Sequence, residues 1–222
     1  MDPFLSEWVL SLSRPGDFTL DLGAHVGYYT LLLARRVGPH GRVLAFEPDA
    51  ANFALLSENV AANGYRNVEL FNLAVTDRTG PTSLHRSPDN AGDHRTWASP
   101  TEARESVPAR SVALDDLFGP HGPWVNLIKM DVQGSEAAAV AGMRRLLVRQ
   151  PHLYLVTEFW PRGLVGAGAD PAAYLAGLTG LGFRLHVIDE VRRLVARAEP
   201  ADIFARVAPG SDQFLDLLAV KS

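Results

Sequence analysis

Phe18-Thr19-Leu20-Asp21-Leu22-Gly23-Ala24-His25-Val26-Gly27 decides the fold. Its first five residues form a short apolar run with a carboxylate inside it. The run breaks into G-x-x-x-G, and residues from Tyr28 to about Val37 have the pattern of a helix. An apolar strand that turns on glycines into a helix is the opening unit of a layered, mostly parallel α/β sheet. Gly23 lets the backbone turn tightly and leaves room for a ligand. Gly27 permits close approach at the helix start, where free N–H groups favour a carboxylate or another anion. The spacing is not the G-x-G-x-x-G expected for a dinucleotide.

The alternation continues on both sides of this unit. Upstream, residues 3–13 predict a short leading helix with Asp2 as its cap and Pro3 at its first position. Downstream, 42–46 is a second strand ending at Glu47-Pro48, and 49–63 is a helix stopped by Asn63-Gly64. A third strand covers 68–75 and a fourth 125–130, which exits through Asp131-Val132-Gln133-Gly134. Ser135 caps a helix to about 149, with Glu136 in its first turn. A fifth strand at 153–157 ends at Glu158, a helix lies near 171–181, and strands at 183–188 and 214–220 follow. Residues 77–122 are rich in Pro, Gly, Ser, Asp and Arg, and only 111–118 shows clear order. They predict a substrate-facing insertion after the third strand. Residues 1–222 thus read as a single domain, with a seven-stranded, mostly parallel sheet and helices on both faces.

Composition narrows the function. Hydrophobic residues make up 47% of the chain and charged residues 21%, and mean hydropathy is near zero, which excludes a disordered chain. There is no cysteine, so thiol nucleophiles, disulfides and cysteine-ligated zinc are excluded. The net charge is −4 and basic residues are scattered, which argues against a nucleic-acid partner. No apolar run approaches a membrane span. The N-terminal stretch lacks the basic start of a signal peptide, so a cytoplasmic home is expected.

On such sheets ligands sit beyond the carboxyl ends of the strands, which singles out Asp21–Gly27, Glu47, 72–77, Asp131 and Glu158. Glu47 is placed to accept hydrogen bonds from two ribose hydroxyls. Pro48 stops its strand and fixes the direction of exit. Lys129 and Asp131 share one strand face, and a lysine inside an apolar strand needs a partner, which Asp131 or Glu158 could supply. In the insertion, Asn90 to Thr96 sets many hydrogen-bonding side chains beside Trp97, an arrangement suited to a sugar or polyol. His94 there is a candidate base.

The strings DLGAHVGYYT at 21–30, Glu47-Pro48, LAVTD at 73–77, VALDDL at 112–117 and IKMDVQGSE at 128–136 resemble the FkbM family of methyltransferases, in order, from about residue 18 to about 160. The family often has Asn where His25 stands and Glu where Gln133 stands. The resemblance implies a Rossmann-like class I methyltransferase fold and S-adenosylmethionine as cofactor. It implies that Asp21, Gly23, Ala24 and Gly27 hold the methionine part and Glu47 the ribose, with His25 and Pro48 also among the cofactor-binding residues. Ala74 and Val75 would flank the adenine, and Asp131 would lie near the amino group and the sulfonium. The expected reaction is methyl transfer to a hydroxyl of a small molecule, such as a sugar, a glycoside or a polyketide-type metabolite. His94, Asp131 and Glu158 are the candidate bases. A magnesium ion at Asp131 is compatible with oxygen ligands but no ligand spacing demands it, and a homo-oligomer is equally compatible. A nicotinamide-dependent oxidoreductase and a non-catalytic binding module that keeps the fold are the competing readings.

Overall fold

The computed structural model describes residues 3–99, 101–207 and 211–222; the expected cap Asp2 lies outside them. In chain order the elements are α1 (Pro3–Leu12), β1 (Phe18–Leu22), α2 (Tyr28–Val37), β2 (Arg42–Phe46), α3 (Ala50–Ala62), β3 (Val68–Phe71), β4 (Ala74–Val75), β5 (Gly80–Arg86), β6 (Glu105–Val112), α4 (Leu114–Phe118), β7 (Leu127–Met130), α5 (Glu136–Gly142), α6 (Arg144–Arg149), β8 (Leu153–Phe159), α7 (Pro161–Gly166), α8 (Pro171–Gly180), β9 (Arg184–Asp189), β10 (Leu194–Arg197), α9 (Pro200–Ala205) and β11 (Leu215–Lys221).

The main sheet has the order β10-β9-β11-β8-β7-β1-β2-β3. β3, β2, β1, β7 and β8 pair in parallel, while β11 runs antiparallel between β8 and β9. The sheet therefore carries eight strands rather than the seven expected. The extra one, β10, forms the edge of the sheet and pairs antiparallel with β9. Central strands are apolar without alternation because both faces are covered. Ile128 and Met130 pack into one hydrophobic cluster with Leu20, Phe46 and Leu155. Leu127 packs into a second cluster with Val9, Leu33 and Val156 on the other face. Helices α1 and α2 supply that second cluster, and α5, α6 and α8 the first.

Three sequence expectations change. The predicted third strand breaks after Phe71, and Ala74–Val75 joins a separate sheet of order β4-β6-β5. Residues 77–122 contain more order than expected, since β5 and β6 form an antiparallel pair with seven facing positions. The helix expected from 135 to about 149 is interrupted at Met143. Gly142 leaves no room there: a Cβ would sit 1.9 Å from the Thr76 carbonyl oxygen. Asp115 then caps α6 from 30 residues away, accepting from the N–H groups of Arg145 (2.7 Å) and Leu146 (2.8 Å).

Candidate functional site

The exits of β1, β2 and β7 open into one cleft, floored by Asp21, Glu47, Lys129 and Asp131 and roofed by the insertion at Gly92 and His94. Counting its open mouth, the cleft holds about 910 Å³.

The glycine loop is tied to the fold more tightly than its sequence implied. The N–H groups of Gly23 and Ala24 both donate to the Phe46 carbonyl, at 3.0 and 2.9 Å, and Gly27 N–H donates to Ala24 O at 2.8 Å. His25 N–H donates to Glu47 Oε2 at 2.9 Å. These four amides are therefore already engaged. The room beside Gly23 is likewise taken, because a Cβ there would lie 1.9 Å from the Asp131 carbonyl oxygen. Gly23 has φ 82° and is required by the approach of β7, not by space for a ligand. What the loop does offer is His25, held at φ 51°. The residue lines the cleft, and its Nε2 is buried with no partner among the described residues.

The acids differ in environment. Glu47 Oε2 takes the His25 amide and its Oε1 takes the Asp49 amide at 2.8 Å. Each oxygen keeps a lone pair. Burial pushes its carboxyl up to about 7, against the pull of those two amides. Asp21 accepts from Thr30 Oγ1 at 2.5 Å. Burial raises it to about 6, with the Thr30 bond and Lys129 holding it back. Lys129 Nζ lies 3.9 Å from Asp131 Oδ2 and 5.2 Å from the Tyr29 ring centroid. Burial works against its charge, but Asp131, Asp216, Tyr29 and Asp21 together hold its pKa above the ordinary lysine value. Asp131 Oδ1 accepts from Gln133 Nε2 at 2.6 Å.

The exit turn of β7 needs left-handed backbone at Gln133 (φ 52°) and Gly134 (φ 93°). Glu136 pins it, accepting from the N–H groups of Val132 and Gly134 at 3.3 Å each. Sequence placed Glu136 only as a first-turn acid. In the fold it is fully buried, and its Oε2 has no partner among the described residues. Burial, then the charge of Asp131, pushes it up to about 7. Ser135, expected as a helix cap, makes no capping bond. Its Oγ lies 2.6 Å from Thr96 Oγ1, and Trp97 Nε1 donates to the Gln133 carbonyl at 2.9 Å. These two contacts fasten the insertion to the turn.

His94 lines the cleft, but its Nδ1 accepts from the Ser87 amide at 3.1 Å. Its Nε2 faces Asp49 Oδ2 at 4.0 Å, and Asp49 is also paired with Arg86 at 2.7 Å. Burial, reinforced by Arg86, lowers the His94 pKa, so the ring is neutral near pH 7. With Nδ1 accepting, the proton is on Nε2 and no free lone pair remains. Ala74, Val75 and Pro48 line the cleft, as does Phe46. Glu158 lines a neighbouring cleft instead, with Trp160 and Gln133. Burial, then Asp131 and Glu136, pushes its carboxyl up to about 9. Phe159 is a core residue, stacked on Tyr174. Among the described residues no group of three metal-ligating side chains occurs; Asp131 meets Lys129 and Gln133 instead. No helix among them is long and apolar enough to cross a membrane.

The 2-O-methyltransferase NoeI of Sinorhizobium fredii is 28% identical over 167 residues, covering 67% of this chain and 65% of that protein. The chain thus spans just under two-thirds of that relative. The solved methyltransferase FkbM of Methylobacillus flagellatus KT superposes with a TM-score of 0.56 at 15% identity, over 96% of this chain and 50% of that one. A Streptococcus mutans protein solved in complex with S-adenosylhomocysteine superposes with a TM-score of 0.57 at 9% identity, over 98% and 96%. At these identities the structural likeness is one of fold. Residues 21–185 match the family model of the methyltransferase FkbM domain, and over that span, most of its length, the chain belongs to this family.

Proposed function

We propose that the protein transfers a methyl group from S-adenosylmethionine to a hydroxyl oxygen of a small molecule, of sugar, glycoside or polyketide type. The observation that carries the reading is the unoccupied bonding capacity of the cleft. Glu47 keeps two lone pairs at the tip of β2, and His25 Nε2 is buried without a partner. A ribose diol and a polar amino-acid group match that capacity. A pyrophosphate does not: it would meet Asp21, Glu47 and Asp131 with Lys129 as the one lysine or arginine among the lining residues. The loop amides that would cradle it are spent. The name of the Sinorhizobium relative, a 2-O-methyltransferase, supports oxygen as the acceptor atom.

In this reading Glu47 binds the ribose, Asp21 and His25 bind the methionine end, and Ala74, Val75 and Phe46 cover the adenine. Asp131, oriented by Gln133 and Lys129, sets a negative charge beside the reacting centre. When bound, S-adenosylmethionine supplies a methyl group on a cationic sulfur, and the S–C electron pair stays with sulfur as the C–O bond forms. The chain contributes alignment, which is the largest effect available to it. Glu158 takes the hydroxyl proton, since its high proton affinity makes it the strongest base, when ionised, among the carboxylates of the two clefts. Calorimetry with S-adenosylhomocysteine and NADH tests the reading. Saturable binding of the first and none of the second is expected; the reverse result ends it.

A further inference from the structure

The neighbouring cleft lies between Glu158 and Trp160 at the end of β8, the loop at Asn90, and Asp212 with Phe214 before β11. It holds about 920 Å³ counting its open mouth. Gln133 and Gly92 belong to the walls of both clefts. Gln133 thus borders the cleft of Asp131 and the cleft of Glu158, and its side-chain amide is bonded to Asp131.

The charges around this second cleft cancel. Asp93 accepts from Arg95 Nε and Nη2 at 2.8 and 3.0 Å and from Arg104 Nη2 at 2.6 Å. Glu102 accepts from Arg95 Nη1 at 3.1 Å and Arg104 Nη2 at 2.8 Å. Arg162 reaches Glu102 at 3.6 Å and pairs with Asp212. Three carboxylates face three guanidiniums, and Glu158, the fourth acid on the wall, is pushed up to about 9 by burial, keeps its proton at neutral pH and adds no charge. The Arg95 guanidinium also lies 4.8 Å from both the Trp97 and the Trp160 ring centroids, so it is held by stacking as well as by charge. Trp160 is more than nine-tenths buried, and its indole N–H has no partner among the described residues. Phe214, on the rim, is half exposed.

We propose that this second cleft receives the methyl acceptor and selects an uncharged polyhydroxy ring. The inference rests on the methyltransferase reading and adds a place and a chemistry for its acceptor. Paired carboxylates retain free lone pairs, and vicinal hydroxyls can donate to these while accepting from guanidinium and indole N–H groups. An apolar ring face finds the exposed ring of Phe214. A ligand that brings its own carboxylate, phosphate or ammonium would need a counter-charge that is already committed, and burying it unpaired is costly.

The test uses the full chain saturated with S-adenosylhomocysteine and titrated with methyl α-glucoside, glucuronate and glucosamine, followed by ¹H–¹⁵N NMR. The neutral glycoside should shift the Trp160 indole resonance, assigned with Trp160→Phe, and the Gln133 and Phe214 amides. Both charged sugars should bind at least tenfold more weakly. Phe214→Ala and Asp212→Asn should each weaken the glycoside severalfold without altering S-adenosylhomocysteine affinity. Shifts confined to other surfaces, no response to any sugar, or tighter binding of a charged one overturns the inference and leaves the cofactor reading standing. Failure of S-adenosylhomocysteine to bind overturns both.

Discussion

Replacing Glu47 with Gln separates what this carboxylate does for folding from what it does for binding. Its pKa lies at about 7 in the fold against an ordinary 4.5. The folded state therefore binds more protons than the unfolded chain between these values, and stability falls as pH rises through that window. The full effect is about 3 kcal/mol, at 1.36 kcal/mol per pH unit. Gln removes that slope. It also turns an NH₂ group toward either the His25 or the Asp49 amide, where both carboxylate oxygens now accept. A donor left facing a donor costs about 1–3 kcal/mol. Glu47→Gln should thus be less stable than the parent at pH 5 and close to it at pH 8.5, as read by urea unfolding at both pH values. Cofactor binding should move the other way. Exchanging charge-assisted bonds to two ribose hydroxyls for neutral ones loses about 2–3 kcal/mol, or about 30- to 150-fold in Kd at pH 8.5. An affinity within threefold of the parent, or a stability difference that does not narrow with pH, would refute the assignment.

The other predictions concern the turn and the proton. Gly23→Ala puts a methyl group 1.9 Å from a backbone carbonyl at φ 82°. Left-handed backbone alone costs about 1–2 kcal/mol, and since no rotamer change relieves the clash, a loss of about 3 kcal/mol or more is expected in chemical denaturation. A fully stable variant would mean that β1 and β7 are farther apart than described. His94→Asn retains an acceptor for the Ser87 amide, so kcat should change less than tenfold; a thousandfold drop would make His94 the base. Glu158→Gln, by contrast, should lower kcat by about a hundredfold to ten-thousandfold, with cofactor affinity unchanged. In the parent, kcat/KM should climb with pH toward the raised Glu158 value, about 9 before the donor binds and lower once it is bound. An unchanged kcat, or a flat profile, removes Glu158 from the chemistry.

The parallel sheet was legible because both of its faces are covered, which writes β1, β2, β7 and β8 as mostly apolar runs, each with an acid next to its last residue or just beyond it. Asp21, Glu47 and Asp131 could be placed at strand exits for that reason, and the structure gathers all three into one cleft. What escaped the sequence depends on partners distant along the chain. The break at Met143 follows from Gly142 against Thr76 and from Asp115 capping α6, and neither contact leaves a local signal. β5 and β6 are irregular in composition, with Pro81 and Pro108 inside them. Their pairing is decided by register across a long connection rather than by periodicity. Glu136 resembled any first-turn acid, and only its complete burial against the exit turn distinguishes it.

The raised acids explain one another. Asp21, Glu47, Glu136 and Glu158 are each pushed up first by burial, and burial disfavours charge unless a counter-charge accompanies it. Lys129 is the one lysine or arginine among the described residues lining the first cleft. It is shared by Asp131, Asp216 and Asp21, so it cannot neutralise them all. The sheet edge therefore holds carboxyl groups in excess of cation. A ligand carrying its own positive charge would relieve that excess, whereas an anionic one would deepen it. The same arrangement connects the two clefts. Glu158 owes part of its proton affinity to Asp131 and Glu136, and a cation near Asp131 offsets that repulsion. If Glu158 is the base, as proposed above, a cationic donor in the first cleft would lower its pKa and raise its ionised fraction at a given pH. Binding of a cationic donor and readiness to take a proton from an acceptor become one electrostatic event.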